Sequence, residues 1–282
     1  MKFKFLFLIF NVIILIFLLI IVFMPLVILG GEISAGWSRT FWGSLWPLIA
    51  ILITALVVLD AYYFSNRKLF RLLEREDWPA LSGYLEMRVL RKGRYSANLV
   101  RLLANTYLVM SDSAAVVSLE NKLALVRPAL LDRHALIFGT ARILGKDYAG
   151  AERFFAAHAV GTAGFAGSGS RARQGQWIAW YYGFSLLLDK QFEGAAEQFR
   201  RLAEEAQDPL VAGLAAWFLA DNLSKITTDT LDIPLAARER IRTSLKTRRD
   251  WDAELAKTET EVHVAILRKY LNDTGNWIYG GR

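Results

Sequence analysis

The chain has 282 residues, 54% of them hydrophobic, a formal net charge of +7 and no cysteine. The lack of cysteine excludes a disulfide framework, a thiolate nucleophile and any cysteine-ligated zinc. The excess charge is small and mixed in sign, which argues against nucleic acid as a partner and suits a neighbouring anionic lipid surface or an acidic protein.

Phe5 to Leu29 is an uncharged run of 25 residues whose one polar side chain is Asn11. A helix needs roughly 20 apolar residues to cross a bilayer core, so this run predicts a membrane span. It is longer than the roughly 7–15 apolar residues of a signal peptide, and no small-residue cleavage site follows it. A second span is expected over Leu45–Phe64, with Pro47 in its first turn, where a missing N–H costs little. Trp37, Trp42 and Trp46 mark one end and Tyr62, Tyr63 and Phe64 the other, as interfacial aromatics do. Residues 1–64 are thus expected to form a transmembrane hairpin, with spans of about 5–29 and 45–64 and a connector from about Gly30 to Ser44. Lys2 and Lys4 precede the first span and Arg67, Lys68, Arg71 and Arg75 follow the second, against Arg39 alone in the connector. That bias places both termini in the cytoplasm. Asp60 and Asn11 are the polar side chains within the spans. Intramembrane carboxylates are functional candidates by default. The bland reading is favoured for Asp60, which is one turn from the interface and within reach of water or Arg67. Asn11 is placed to hydrogen-bond across the hairpin.

Beyond the hairpin one phrase recurs. "KDYAGAERFF" starts at Lys146 and "KQFEGAAEQF" at Lys190, and looser copies surround Asp77 and Asp112. The corresponding positions Asp77, Asp112, Asp147 and Gln191 are separated by 35, 35 and 44 residues. The long step holds a glycine-rich stretch, Ala159–Gly175, read as a flexible insertion. Apolar residues at spacings of three and four flank each phrase, which predicts two helices joined by a turn. Such a hairpin buries its apolar face only by stacking on its neighbours.

Three positions carry a likeness to a known family. Gly183, Ala195 and Phe199 share their spacing with Gly139, Ala151 and Phe155, and more loosely with Leu103, Ala115 and Leu119. At these residues the chain resembles the tetratricopeptide repeat family. The family's tryptophan is replaced by Ala135 and Ala179, and its proline is displaced to Pro128 and Pro209. The likeness covers roughly Arg67–Asp208 and implies an all-α solenoid over residues 65–208. In that family the first helices of successive units line a concave groove that holds a protein partner. Mapping the pattern puts Trp177, Trp180, Phe184 and Leu187 on the groove side of one unit, Arg133, Leu136 and Thr140 on the next, and Ala97, Val100 and Tyr107 on the third. Packing against the next unit or the C-terminal helix is the other reading of the aromatics, and at Trp177 and Trp180 both stay open. Residues 209–282 are expected to hold a divergent helical pair and one long final helix, running through Trp251, Leu255, Val262, Ile266 and Tyr270, that caps the stack.

No catalytic constellation stands out. His134, His158 and His263 are scattered without ligand spacing, and Gly164 and Gly169 have the spacing of a phosphate loop but lack its Lys-Ser/Thr. No cofactor or metal site is read, and the chain is not expected to be an enzyme. Its layout resembles the HemY family of bacterial inner-membrane proteins. The expectation is a scaffold anchored in a bacterial inner membrane that binds a protein partner through its groove. The alternative is a subunit of a membrane enzyme or transporter that uses Asn11 and Asp60. A homo-oligomer is compatible with the sequence, though no long heptad run demands one.

Overall fold

The computed structural model describes residues 2–28, 35–159, 169–224, 232–258 and 261–280, and of residues 2–4, 6, 24–28 and 35–42 it describes the backbone alone. Expectations that rest on the side chains of Lys2, Lys4, Trp37, Arg39 and Trp42, or on Gly164, lie outside what is described. The protein is all-α, with no strand among the described residues. It divides into two compact units, Met1–Tyr84 and Leu85–Arg282.

In the first unit α1 (Lys2–Ile28) pairs with α2 (Ala35–Glu74). Two cross-helix contacts fix their register. Asn11 Nδ2 donates to Asp60 Oδ1 at 2.9 Å, and the Phe7 and Tyr63 rings stack at 3.9 Å. Among the described residues Gly43–Glu74 is the one stretch long and apolar enough to cross a membrane, by length and composition. Phe5, Trp46, Ile51 and Val58 are largely exposed, as lipid-facing residues would be. The second helix differs from expectation at both ends. It begins at Ala35, so Pro47 lies inside it rather than in its first turn. The Gly43 carbonyl therefore lacks its usual donor. The helix also continues past residue 64 to Glu74, because Asn66 to Glu74 contains no helix breaker and keeps half-buried positions at Leu69, Phe70 and Leu73.

The repeated phrase is a repeated turn. Glu76, Ser111, Lys146 and Lys190 all adopt positive φ, between 53° and 65°, and each immediately precedes one of the four phrase positions. The hydrogen bonds recur with them. The amide of each left-handed residue bonds the carbonyl three back, and the next amide bonds the carbonyl five back, as in Asp147 N to Arg142 O at 2.9 Å. This is the Schellman closure of a helix C-terminus. The carboxylates of Asp77, Asp112 and Asp147 then cap the next helix, which after Asp77 is α3 (Trp78–Glu86), each accepting the amide three residues on. Gln191 makes no such cap.

In the second unit these turns join α4 (Ala97–Val109) to α5 (Ser113–Val126), α7 (Ala135–Leu144) to α8 (Tyr148–Ala159), and α9 (Ser170–Leu188) to α10 (Phe192–Glu205). The short helix α6 (Pro128–Arg133) leads into α7. Each hairpin packs on the next, α7 on α5 and α9 on α8. The interlock is the one the sequence pattern implies. A Cβ at Gly139 would lie 2.1 Å from the Phe155 ring, and one at Gly183 would lie 3.0 Å from the Phe199 ring. Ala151, Phe155, Ala195 and Phe199 are completely buried.

The insertion expected over residues 159–175 is shorter on both sides. The second helix of that hairpin ends at Ala159 and α9 is already helical from Ser170, because side chains of its first turns are held in place. Arg173 reaches Asp208 and Glu254, and Gln176 Oε1 accepts the Asp208 amide at 2.8 Å. Past Pro209, α11 (Pro209–Trp217) runs into a widened turn at Phe218–Leu223 and pairs with α12 (Asp232–Ser244), as the divergent pair was read. The expected long final helix is three helices, α13 (Arg248–Thr258), α14 (Val262–Ile266) and α15 (Arg268–Tyr279). The break lets α14 pack on α7 while α15 packs on α11.

Candidate functional site

The first helices of the three hairpins line a cavity of about 1050 Å³. Asn98, Arg101, Leu102 and Asn105 come from α4. Arg133, His134, Leu136 and Ile137 come from the α6–α7 junction, and Ser170, Arg173, Gln174 and Trp177 from α9. Residues 98/101/102/105 and 170/173/174/177 follow one i, i+3, i+4, i+7 stripe, so each helix offers a single face. Glu261, Val262 and His263, just after the break between α13 and α14, form the remaining wall.

The wall is more polar than the sequence pattern suggested. Arg133, Leu136 and Trp177 line the cavity as expected. The Trp177 ring is nevertheless 1% exposed and Trp180 is fully buried, so neither forms an exposed apolar patch. Trp177 packs edge-on against His263 at 5.3 Å. Trp180 stacks on Phe184 at 5.1 Å and meets Phe199 and Phe218. Phe184 is half-buried in that cluster, because Phe218 from the widened turn closes over it. Tyr107 is buried as well and donates its hydroxyl to Glu86 at 2.9 Å. Trp180, Phe184 and Tyr107 are therefore core residues and do not line the groove. Asn11 and Asp60 are brought together as a bonded pair in the first unit, which makes them a tie between helices; Asn11 Oδ1 has no hydrogen-bond partner among the described residues.

The polar lining residues that pattern reading missed include Asn98, Arg101, Asn105, Arg173 and Gln174. A search for an apolar stripe passes over them. The signal was the recurrence of arginine and amide side chains at one helical register.

Arg173 serves the fold. Its Nε lies 2.9 Å from Asp208 and its Nη2 2.6 Å from Glu254. Burial opposes its charge, but Asp208 and Glu254 outweigh that and raise its pKa. The side chains of Arg101 and Arg133 are exposed and make no hydrogen bond or ion pair with any described residue. Gln174 Nε2 donates to the Asp132 and Arg133 carbonyls, which holds the end of α6 in place. Asp132, next to Arg133, approaches His158 at 3.5 Å instead. Burial depresses His134, whose Nε2 bonds the Ala97 carbonyl at 3.0 Å. Burial also lowers His263 to about 4. Both imidazoles are thus neutral at pH 7, and the 3.3 Å approach of His263 to Glu261 is not an ion pair there. Burial raises Glu261, with Arg173 and Arg101 pulling it back.

His263 makes stability depend on pH. Its folded pKa lies below its unfolded value of 6.5, so the unfolded state binds the extra proton and stability falls as pH drops from about 6.5 to 4. The loss is on the order of 3 kcal/mol at the lower end. Denaturant unfolding from pH 7 to 4 should show this loss in the wild type and a smaller one in His263→Gln.

The fold and its cavity define a class: a helical-hairpin protein whose first helices share one polar groove. A family model described as uncharacterised Treponema protein matches residues 115–280, and the chain belongs to that family. It is similar to an uncharacterised protein of Treponema pallidum (strain Nichols), 26% identical over 256 residues, covering 87% of this chain and 78% of the relative. That alignment is longer than the second unit, so it reaches into the first. No solved structure matches.

Proposed function

We propose that the protein is a membrane-anchored scaffold that binds a protein partner in the groove of a tetratricopeptide-like solenoid. The carrying observation is the groove itself, lined by helical faces from three successive hairpins, in which the side chains of Arg101 and Arg133 make no hydrogen bond or ion pair among the described residues. Backbone-rich extended partners suit a trough of this volume and amide content. The repeated Schellman turns support the solenoid reading, and the exposed apolar surface of the two N-terminal helices supports the anchor, a two-span hairpin with both termini cytoplasmic. A bacterial inner membrane is the natural setting. The chain carries no cysteine, so a single introduced one is a clean probe. A photoactivatable maleimide on Asn98→Cys, in native membranes, should yield one discrete adduct. The same reagent on Leu125→Cys, which is 88% exposed on α5, should yield none. Equal adducts from both sites would reject the groove as the binding surface.

A further inference from the structure

We propose that the groove takes an acidic peptide segment, anchored by Arg101 and Arg133, and that Glu261 of the protein's own C-terminal region competes with it. This rests on the groove being the binding surface.

Three observations carry it. First, arginines outnumber carboxylates in the cavity wall. Arg173 is neutralised by Asp208 and Glu254 and both histidines are neutral, and the side chains of Arg101 and Arg133 make no hydrogen bond or ion pair among the described residues. The nearby Asp132 is turned to His158. Guanidinium groups favour carboxylates, which they bind through paired N–H donors. Second, the amide side chains of Asn98 and Asn105 line the same cavity. Amide groups both donate and accept, so they match the N–H and C=O groups of a peptide backbone. An inorganic phosphate brings the negative charge but no N–H. An acidic peptide supplies both. Third, the protein already places a carboxylate here. Glu261 lines the same cavity as Arg101 and Arg133, and Arg173 and Arg101 favour its charged form against burial. An incoming acidic side chain enters the same field, so the two compete.

The test uses the purified full chain in a zwitterionic detergent and a fluorescent peptide of alternating Glu and Ala, with its Gln-for-Glu counterpart as control. Anisotropy should show binding of the Glu peptide that weakens with salt, and little binding of the Gln peptide. Arg101→Gln and Arg133→Gln should each weaken it on the order of ten-fold. Lys122→Gln, outside the groove, should leave it unchanged. Glu261→Gln should tighten it several-fold. Both side chains are exposed and make no hydrogen bond or ion pair among the described residues, so circular dichroism should show the variants folded. Equal binding of the two peptides overturns the inference, as does binding that Lys122→Gln weakens as much as Arg101→Gln. Displacement by inorganic phosphate or by anionic lipid vesicles at concentrations that match the peptide would overturn the peptide as occupant. If no peptide binds while Asn98→Cys still gives its adduct in membranes, this inference fails and the scaffold reading stands. If the adduct is absent too, both fail.

Discussion

Arg173→Ala should destabilise the second unit by about 3 kcal/mol, and by more if its partners cannot reach water. The variant strands Asp208, whose side chain is 2% exposed. Removing one partner of a buried ion pair costs roughly 3–5 kcal/mol, because the remaining charge is left without compensation. Arg173 is itself 38% exposed, which admits solvent and points to the lower end of that range. Burial pushes the Asp208 carboxyl up, and Arg173 with the amides of Leu210 and Val211 pulls it back; without the guanidinium the carboxyl should take up a proton more readily. Asp208 also caps α11 through Leu210, and its own amide is held by Gln176. The loss is therefore felt in α9, α11 and α13 together. Adding Asp208→Asn to the variant should recover part of the stability, since a neutral amide keeps the cap without the stranded charge. Denaturant midpoints of the two single variants and the double variant measure this. Additive losses would show that the pair is not coupled.

Phe155→Ala should cost roughly 3–5 kcal/mol, the usual range for deleting a fully buried ring. The ring is 0% exposed, fills the notch above Gly139 and stacks on Tyr181 at 5.5 Å. It thus joins two successive hairpins. Gly139→Ala probes the notch from the other side. Alanine is the better helix former by about 1 kcal/mol, yet its Cβ would lie 2.1–2.6 Å from three ring atoms. Overpacking costs about 1–3 kcal/mol, so the net effect is destabilising. At Gly183 the nearest ring atom is 3.0 Å away, and alanine there should cost less. A Gly139→Ala protein more stable than wild type would show that the hairpin packing is looser than described.

The repeat was legible because its signal is local. A left-handed residue, a capping aspartate and a small residue facing an aromatic sit at fixed offsets, so the turn and the interlock follow from one short phrase. The cavity was legible only in part: of the residues mapped to a groove, Arg133, Leu136 and Trp177 line it, and Trp180, Phe184 and Tyr107 do not. Its register follows from the turns, whereas its polarity depends on which aromatics are covered from elsewhere. Trp180 is buried and Phe184 half-buried because Phe218, 38 and 34 residues further on, folds back over them. Nothing in the local spacing of α9 reports that. The division of the C-terminal segment into α13, α14 and α15 was hidden for a similar reason. Apolar spacings of three and four continue through it, and the sequence holds no proline or glycine between Thr258 and Arg268 to mark it. The beginning of α9 was read as loop because its glycines outweighed Arg173 and Gln176, whose partners lie more than 30 residues away.

The most direct measurement is the crosslink from Asn98→Cys in native membranes, made in the wild-type background and again with Arg101→Gln and Arg133→Gln together. The account predicts one discrete protein adduct in the first case and its loss in the second, with the variant folded and still in the membrane. An adduct that survives loss of both arginines, or that forms only from Leu125→Cys on the outer helix, would contradict it.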